Sequence, residues 1–331
     1  MLLKLLRGTG PGVLFLLIIT TGLFWAGSFI HPQLPGIFIY EAQPMPLYRL
    51  LKTATGSIAF NREIFTFLLY CFMLFLITNF NTSIFFINER TFLPAYFYIL
   101  FIAIFPQYQV LNPVLPASVF LMLAMKRIMD SYRKQETAYN FFDAGILISI
   151  GTLFYADLIW FGILLITGIF LLRSGNFKEI LISLLGLAAP FIITAGLYYV
   201  LGKDLGLLLA DIWDNLFEKV PGVPFSRLAI ISLIYTGLII LISAGFLAMR
   251  MNSKKIKSRK TFSLLLWSLL ISAGLFIFMP SVSVEIVWIA GIPACYILAH
   301  YFIFERKKIF GEIIFTLFFL LVILVQAFYI F

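Results

Sequence analysis

The chain has 331 residues, 62% of them hydrophobic and 12% charged, and 24 Lys and Arg against 15 Asp and Glu give it a net charge of +9. Soluble domains carry about 25% charged residues, so lipid is the solvent for most of this chain and no separate soluble domain fits. The basic residues punctuate the ends of apolar runs, which excludes a nucleic-acid-binding face; Cys71 and Cys295 sit inside such runs, against a disulfide framework or a cysteine zinc site.

In chain order, Lys4 and Arg7 precede an apolar run read as an uncleaved first span, Gly12 to Ile30. The segment from His31 to Arg62 follows, and Pro32, Pro35, Pro44 and Pro46 bar a continuous helix through its first half. Beyond them Leu47, Leu50, Leu51, Ala54 and Ile58 recur at helical spacing, opposite Arg49, Lys52, Thr53 and Ser57. That pattern predicts a helix over 47–58 lying on a membrane surface.

Further spans are expected over 63–80, 91–105, 114–129, 141–155, 158–172 and 180–201. A second polar segment, 202–226, holds Leu205, Leu208, Leu209, Ile212, Trp213 and Leu216 on one helical face and predicts another surface helix over 205–217. Three more spans end at Met249, Met279 and Phe304, and the last runs from Ile309 to Phe331. The reading is an all-α polytopic transmembrane bundle, one integral-membrane domain over 1–331 with about eleven spans and two outer interfacial helices.

Charge bias orients the bundle. With the N-terminus in the cytoplasm, 18 of the 24 Lys and Arg fall on inner segments; only Arg49, Lys52, Arg62, Lys203, Lys219 and Arg227 lie outside. Both long loops are then outside together, and so is the C-terminus. Eight of the fifteen acids are outside as well: Glu41, Glu63, Asp157, Asp204, Asp211, Asp214, Glu218 and Glu285. Most are expected to solvate loop ends, with Glu41, in a proline-braced loop before a basic helix, as the exception.

Asp211, Asp214 and Glu218 stand three and four residues apart, a spacing at which oxygens can share a hard divalent cation, although a water-facing acidic stripe is the plainer reading. Apart from such a metal, the sequence calls for no cofactor. Arg49, Lys52, Arg62 and Arg227 lie nearest the outer interface, suited to ordinary headgroup anchoring or to gripping a lipid-linked phosphate. His31 is a surface base or a helix cap. Asn140 and Asp143 suit the start of a helix, Glu312 the first turn of the last span, Gln326 an interhelical hydrogen bond, and His300 a packing role. No P-loop, HExxH, GxSxG or CxxC motif occurs, against ATPases, zinc proteases and serine hydrolases.

One stretch carries a resemblance. From Asn88-Glu89-Arg90 to about Gly202 the chain runs through FPQYQVLNP, LPASVFLMLAMKRIMDSYRK and NFFDAGILISIGTLFYADLIWFGILLITGIFLLRSGNFKEILISLLGLAAPF. With Pro106, Lys126, Arg127, Gly145, Gly151, Asp157, Arg173 and Pro190 at its turns and spans, this resembles the middle of GT-C superfamily membrane glycosyltransferases, which use polyprenyl-phosphate-linked sugars. It also looks similar to an uncharacterised inner-membrane family of Bacteroidetes.

The resemblance implies a bacterial inner-membrane protein that binds a polyprenyl-phosphate sugar at its outer (periplasmic) face and transfers the sugar to an envelope acceptor. Glu41 maps to the catalytic acid, and Arg49, Lys52, Arg62 or Arg227 to the phosphate site. The acid pair usual in that family's first outer loop is absent, since Glu41 is the only acid between residues 31 and 62. A single carboxylate can still serve as general base. The alternatives are a non-catalytic membrane subunit of an envelope assembly or secretion complex, packed against a membrane-protein partner, and, third, a lipid or solute transporter. The span centres hold almost no charged or helix-breaking residues beyond Pro190 and Pro293, which weighs against transport.

Overall fold

The computed structural model describes residues 2–30, 41, 43–56, 58–132, 138–173, 175, 177–219, 227–305 and 308–330. His31, Tyr40, Pro32 and Pro35 lie outside the described residues. Among those described, every regular element is helical: α1 (Leu2–Leu6), α2 (Pro11–Ile30), α3 (Pro46–Thr55), α4 (Ala59–Ile84), α5 (Leu93–Ala103), α6 (Val114–Asp130), α7 (Ala138–Thr152), α8 (Gly162–Arg173), α9 (Phe177–Val200), α10 (Leu205–Phe217), α11 (Arg227–Met249), α12 (Ile256–Phe278), α13 (Val287–Phe304) and α14 (Lys308–Ile330). Short 3₁₀ turns lead into α8 and α13.

Each expected span is a helix. Eight are long and apolar enough to cross a membrane, and the chain is a multi-pass membrane protein. The exceptions are α5, α6 and α7, with 11, 17 and 15 residues. At about 1.5 Å per residue α5 covers only about 16 Å. Their shortness has a physical reason in two cases: every residue of α5 and most of α6 are buried among other helices, so they need not match the thickness of lipid. Helix α13 is enclosed along nearly its whole length, and with α5 it forms the centre of the core. The long helices around them turn apolar side chains such as Leu23, Leu68, Ile192 and Leu241 outward.

Both surface helices form, and both are too short to cross. Helix α3 stops at Thr55, earlier than the periodicity suggests, because Gly56 follows in the left-handed region at φ +72°. Asp204 caps α10, its Oδ1 accepting from the Gly206 N–H at 2.7 Å.

Contacts sort the helix ends into two sets. At one end, called here the loop end, Ser28 meets Gln109, the Leu47 N–H donates to the Leu153 carbonyl, and Ser281 donates to Asp157 and to the Leu216 carbonyl. At the other, the basic end, Arg7 pairs with Glu89, Glu312 accepts from the Leu3 N–H, and Arg250 donates to the Phe304 carbonyl. Glu312 lies in the fifth residue of its helix and serves α1 rather than its own first turn. Asn140 is inside α7 rather than capping it, and Asp143 faces Arg127 at 3.7 Å.

One crossing fixes the geometry between these ends. A Cβ at Gly145 of α7 would stand 2.5 Å from the Ser183 carbonyl of α9, and one at Gly186 would stand 2.3 Å from the Phe142 carbonyl. Only glycine at both positions allows backbones this close. Gln326 of α14 donates to the Ala103 carbonyl at 2.8 Å, the interhelical bond expected of it.

Candidate functional site at the loop end

Pro46 sets φ for the first turn of α3, and the next turn carries Tyr48, Arg49 and Lys52. Tyr48 and Lys52, four residues apart, share a face and both reach Glu41. The Tyr48 hydroxyl stands 2.6 Å from Glu41 Oε1 and 3.2 Å from the Leu111 carbonyl, while Lys52 Nζ stands 2.5 Å from Glu41 Oε2. Burial, then the charge of Glu41, holds the Tyr48 hydroxyl far above its ordinary range, so it remains a donor. Both oxygens of Glu41 are therefore engaged.

Arg49 turns the other way. Its Nη2 donates to Asp211 Oδ2 at 3.0 Å and to the Pro44 carbonyl at 3.2 Å. One turn on from Asp211, Asn215 donates to the Gln43 carbonyl at 2.8 Å. The two surface helices are thus clasped together at one end of the bundle. Their exposed apolar residues, Leu50 on α3 and Leu207, Leu209 and Trp213 on α10, are placed to enter an interface. Arg62 bonds the Gly56 carbonyl, and its charge is felt at Tyr48 without a bond to Glu41. Arg227 opens α11, exposed, and among the described residues it makes no bond to the cluster.

Beneath this partly exposed tier lies a buried one. Asp157 and Glu285 are 1% and 0% exposed, and Glu63 is buried too, so these three acids do not solvate loop ends. The Ser281 hydroxyl stands 3.0 Å from Asp157 Oδ1, and the Ser283 N–H donates to Glu285 Oε1 at 3.1 Å. The sequence signal was available: Asp157 and Glu285 each open an apolar span, where a carboxylate is costly unless paired or used. What hydropathy could not supply is that residues 124 apart meet. Among the described residues no group of three or more His, Cys, Asp or Glu is placed to hold a metal.

At the basic end, His300 is buried among Phe246, Phe262 and Phe304, with Nε2 2.6 Å from Lys254 Nζ, in keeping with a packing role. Burial, then the charge of Arg250, lowers Lys254 to about 8.

A family model described as "Family of unknown function (DUF6427)" matches residues 45–331, and the chain belongs to that family. The match takes in Tyr48, Arg49, Lys52, Asp157 and Glu285 and begins after Glu41. No curated protein and no solved structure gave a significant match.

Proposed function

We propose that this member of the DUF6427 family lies in a bacterial inner membrane with its basic end in the cytoplasm, and that its outer loop end binds the phosphate of a polyprenyl-phosphate-linked sugar. The orientation rests on the 18-to-6 split of Lys and Arg. The binding reading rests on one observation: Arg49 and Lys52, three residues apart on α3, each meet one carboxylate, that of Asp211 and that of Glu41, their remaining partners being the neutral Pro44 and Glu41 carbonyls and the Tyr48 ring. A phosphate offers the same two-oxygen geometry with more charge and can replace either carboxylate.

Transfer of the sugar to an envelope acceptor follows from the same exchange. When Lys52 moves to the phosphate, Glu41 Oε2 is released. It then takes the proton of an acceptor hydroxyl as that oxygen bonds the sugar carbon and the bond from that carbon to the lipid phosphate breaks. Arg49 and Lys52 hold the departing phosphate.

Complementation of a deletion strain by Glu41→Gln, with protein amount checked by blot, tests the transfer step. The variant keeps the size and loses the basic oxygen, so turnover should fall by about 10²- to 10⁴-fold at normal abundance. The second reading, a non-catalytic membrane subunit, is favoured by the completeness of the clasp, in which Glu41 and Arg49 are already satisfied. An apolar lateral groove of about 350 Å³ between α2, α4 and α5, lined by Leu17, Thr21, Phe67, Cys71 and Leu74, is a place for a partner helix. Full complementation by Glu41→Gln selects that reading.

A further inference from the structure

The loop end holds a second constellation that lipid-phosphate binding does not use. Asp157 opens the turn into α8, and Glu285 opens the turn into α13. Ser281 donates to Asp157 and the Ser283 N–H, two residues on, donates to Glu285, so one short segment holds both carboxylates, and the charge of Glu285 is felt at Asp157. Helices α8 and α12 pack against these turns, and the polar groups beside the two acids are Tyr155 from the turn after α7, Tyr108 from the turn after α5, the Leu216 carbonyl from α10, and Ser281 and Ser283 from the segment before α13. None of them is a cation. Among the described residues no Lys, Arg or His pairs with either acid.

The donors present do not balance two negative charges. Asp157 Oδ1 receives the Ser281 hydroxyl with the Tyr155 side chain close by, and Glu285 Oε1 receives the Ser283 N–H, with the Ser283 hydroxyl and the Glu285 N–H also close to that carboxylate, all of them neutral groups. Glu285 Oε2 is buried with no hydrogen-bond partner among the described residues. A buried, unpartnered carboxylate oxygen beside a second carboxylate is prohibitive unless a positive charge is supplied. The Tyr108 hydroxyl, whose neighbour is Glu285, is pushed up to about 12 by burial and then by that charge, so it does not ionise to compete.

We propose that Asp157 and Glu285 form a binding site for one small monovalent cation, a proton or an alkali ion, set below the clasped surface helices. The site takes its positive charge from the aqueous phase at the loop end and closes over it with Tyr108, Tyr155 and the Leu216 carbonyl. It has no need of Glu41, Arg49 or Lys52, so it stands or falls apart from the phosphate reading. Divalent ions are disfavoured because the two carboxylates and the few neutral oxygens around them fall short of the roughly six or more oxygen ligands that such ions take.

The test uses the full-length purified protein. Thermal unfolding is followed from mildly acidic to mildly basic pH in N-methylglucamine buffer, with and without sodium chloride, for the wild type, Glu285→Gln and Asp157→Asn. Emptying the site by raising the pH without alkali ions should lower the wild-type midpoint by several degrees, and either variant should lose much of that dependence. If sodium restores the midpoint at high pH, while N-methylglucamine chloride at equal ionic strength does not, the occupant is an alkali ion; if neither does, it is a proton. Dicyclohexylcarbodiimide, which attacks un-ionised carboxyls in apolar surroundings, gives a second readout without mutation. Asp157 or Glu285 should be modified in the sodium-free protein, faster as the pH falls. A wild-type midpoint that moves with pH and sodium no differently from the variants', together with no modification of either acid, overturns the proposal.

Discussion

The two ends of the bundle carry charge in opposite ways. At the basic end two of the three described ion pairs are open to solvent: Arg127 and Asp143 are 3.7 Å apart with side chains 52% and 42% exposed, and Arg7 with Glu89 is more than a third exposed on both sides, while Arg173 and Glu179, 3.6 Å apart, are more covered. At the loop end cations are few, and Arg49 and Lys52 are each tied to a carboxylate of another segment. The difference separates number from placement. Many solvated cations suffice to bias orientation, because that bias sums over loops and needs no geometry. A few cations held at 3.0 Å or less, next to buried acids, constrain what can bind there.

The largest expected effect comes from breaking the scaffold beneath the loop end. Gly145→Val forces α7 away from α9, and α7 leads both to the Leu153 carbonyl that anchors α3 and to Asp157. Overpacking of this kind costs about 3 kcal/mol. Detergent-solubilised protein should melt well below wild type and release both tiers together, read as faster hydrogen exchange at 46–55 and 153–157.

A direct comparison of the ends comes next. Lys52→Met leaves Glu41 half-buried without its cation and should cost about 1–3 kcal/mol. Adding Glu41→Gln should recover part of that, measured as coupling in a double-mutant cycle. Arg127→Ala at the basic end should stay within about 0.5 kcal/mol. Equal losses at the two sites would erase the distinction.

How much of this was legible follows from what hydropathy measures. The apolar runs locate residues along the membrane normal, and that dimension was read well: the spans, the helices at 46–55 and 205–217, and their shared end all follow from it. Neighbours around the normal are invisible to it. Nothing in the sequence brings Ser281 to Asp157, or makes Tyr48 rather than a second acid the partner of Glu41. The same blindness put Asp157 and Glu285 in water, since a loop-end position looks solvated until a surface helix is found covering it. The short helices α5 and α6 looked like ordinary spans because burial in protein and burial in lipid demand the same residues.

The smallest effect is a pH slope at the basic end, where Lys254 lies over the Phe262 and Phe304 rings and is partly covered. Its charged form is disfavoured in the fold, and it is lowered to about 8. Between that value and its ordinary, higher one the unfolded chain binds more protons than the folded one, so stability should rise with pH through this window. Thermal scans of wild type and Lys254→Met should show the rise in the first and a flatter line in the second.

Binding of a polyprenyl phosphate to the purified protein, read by native mass spectrometry, tests the central claim most directly. Wild type should retain the lipid. Arg49→Ala with Lys52→Ala should weaken it by at least about tenfold, because two charge-assisted bonds are lost, while Arg227→Ala should bind nearly as wild type. Retention by the double variant at wild-type strength, or an equal loss at Arg227, would contradict the assignment of the phosphate to the α3 pair.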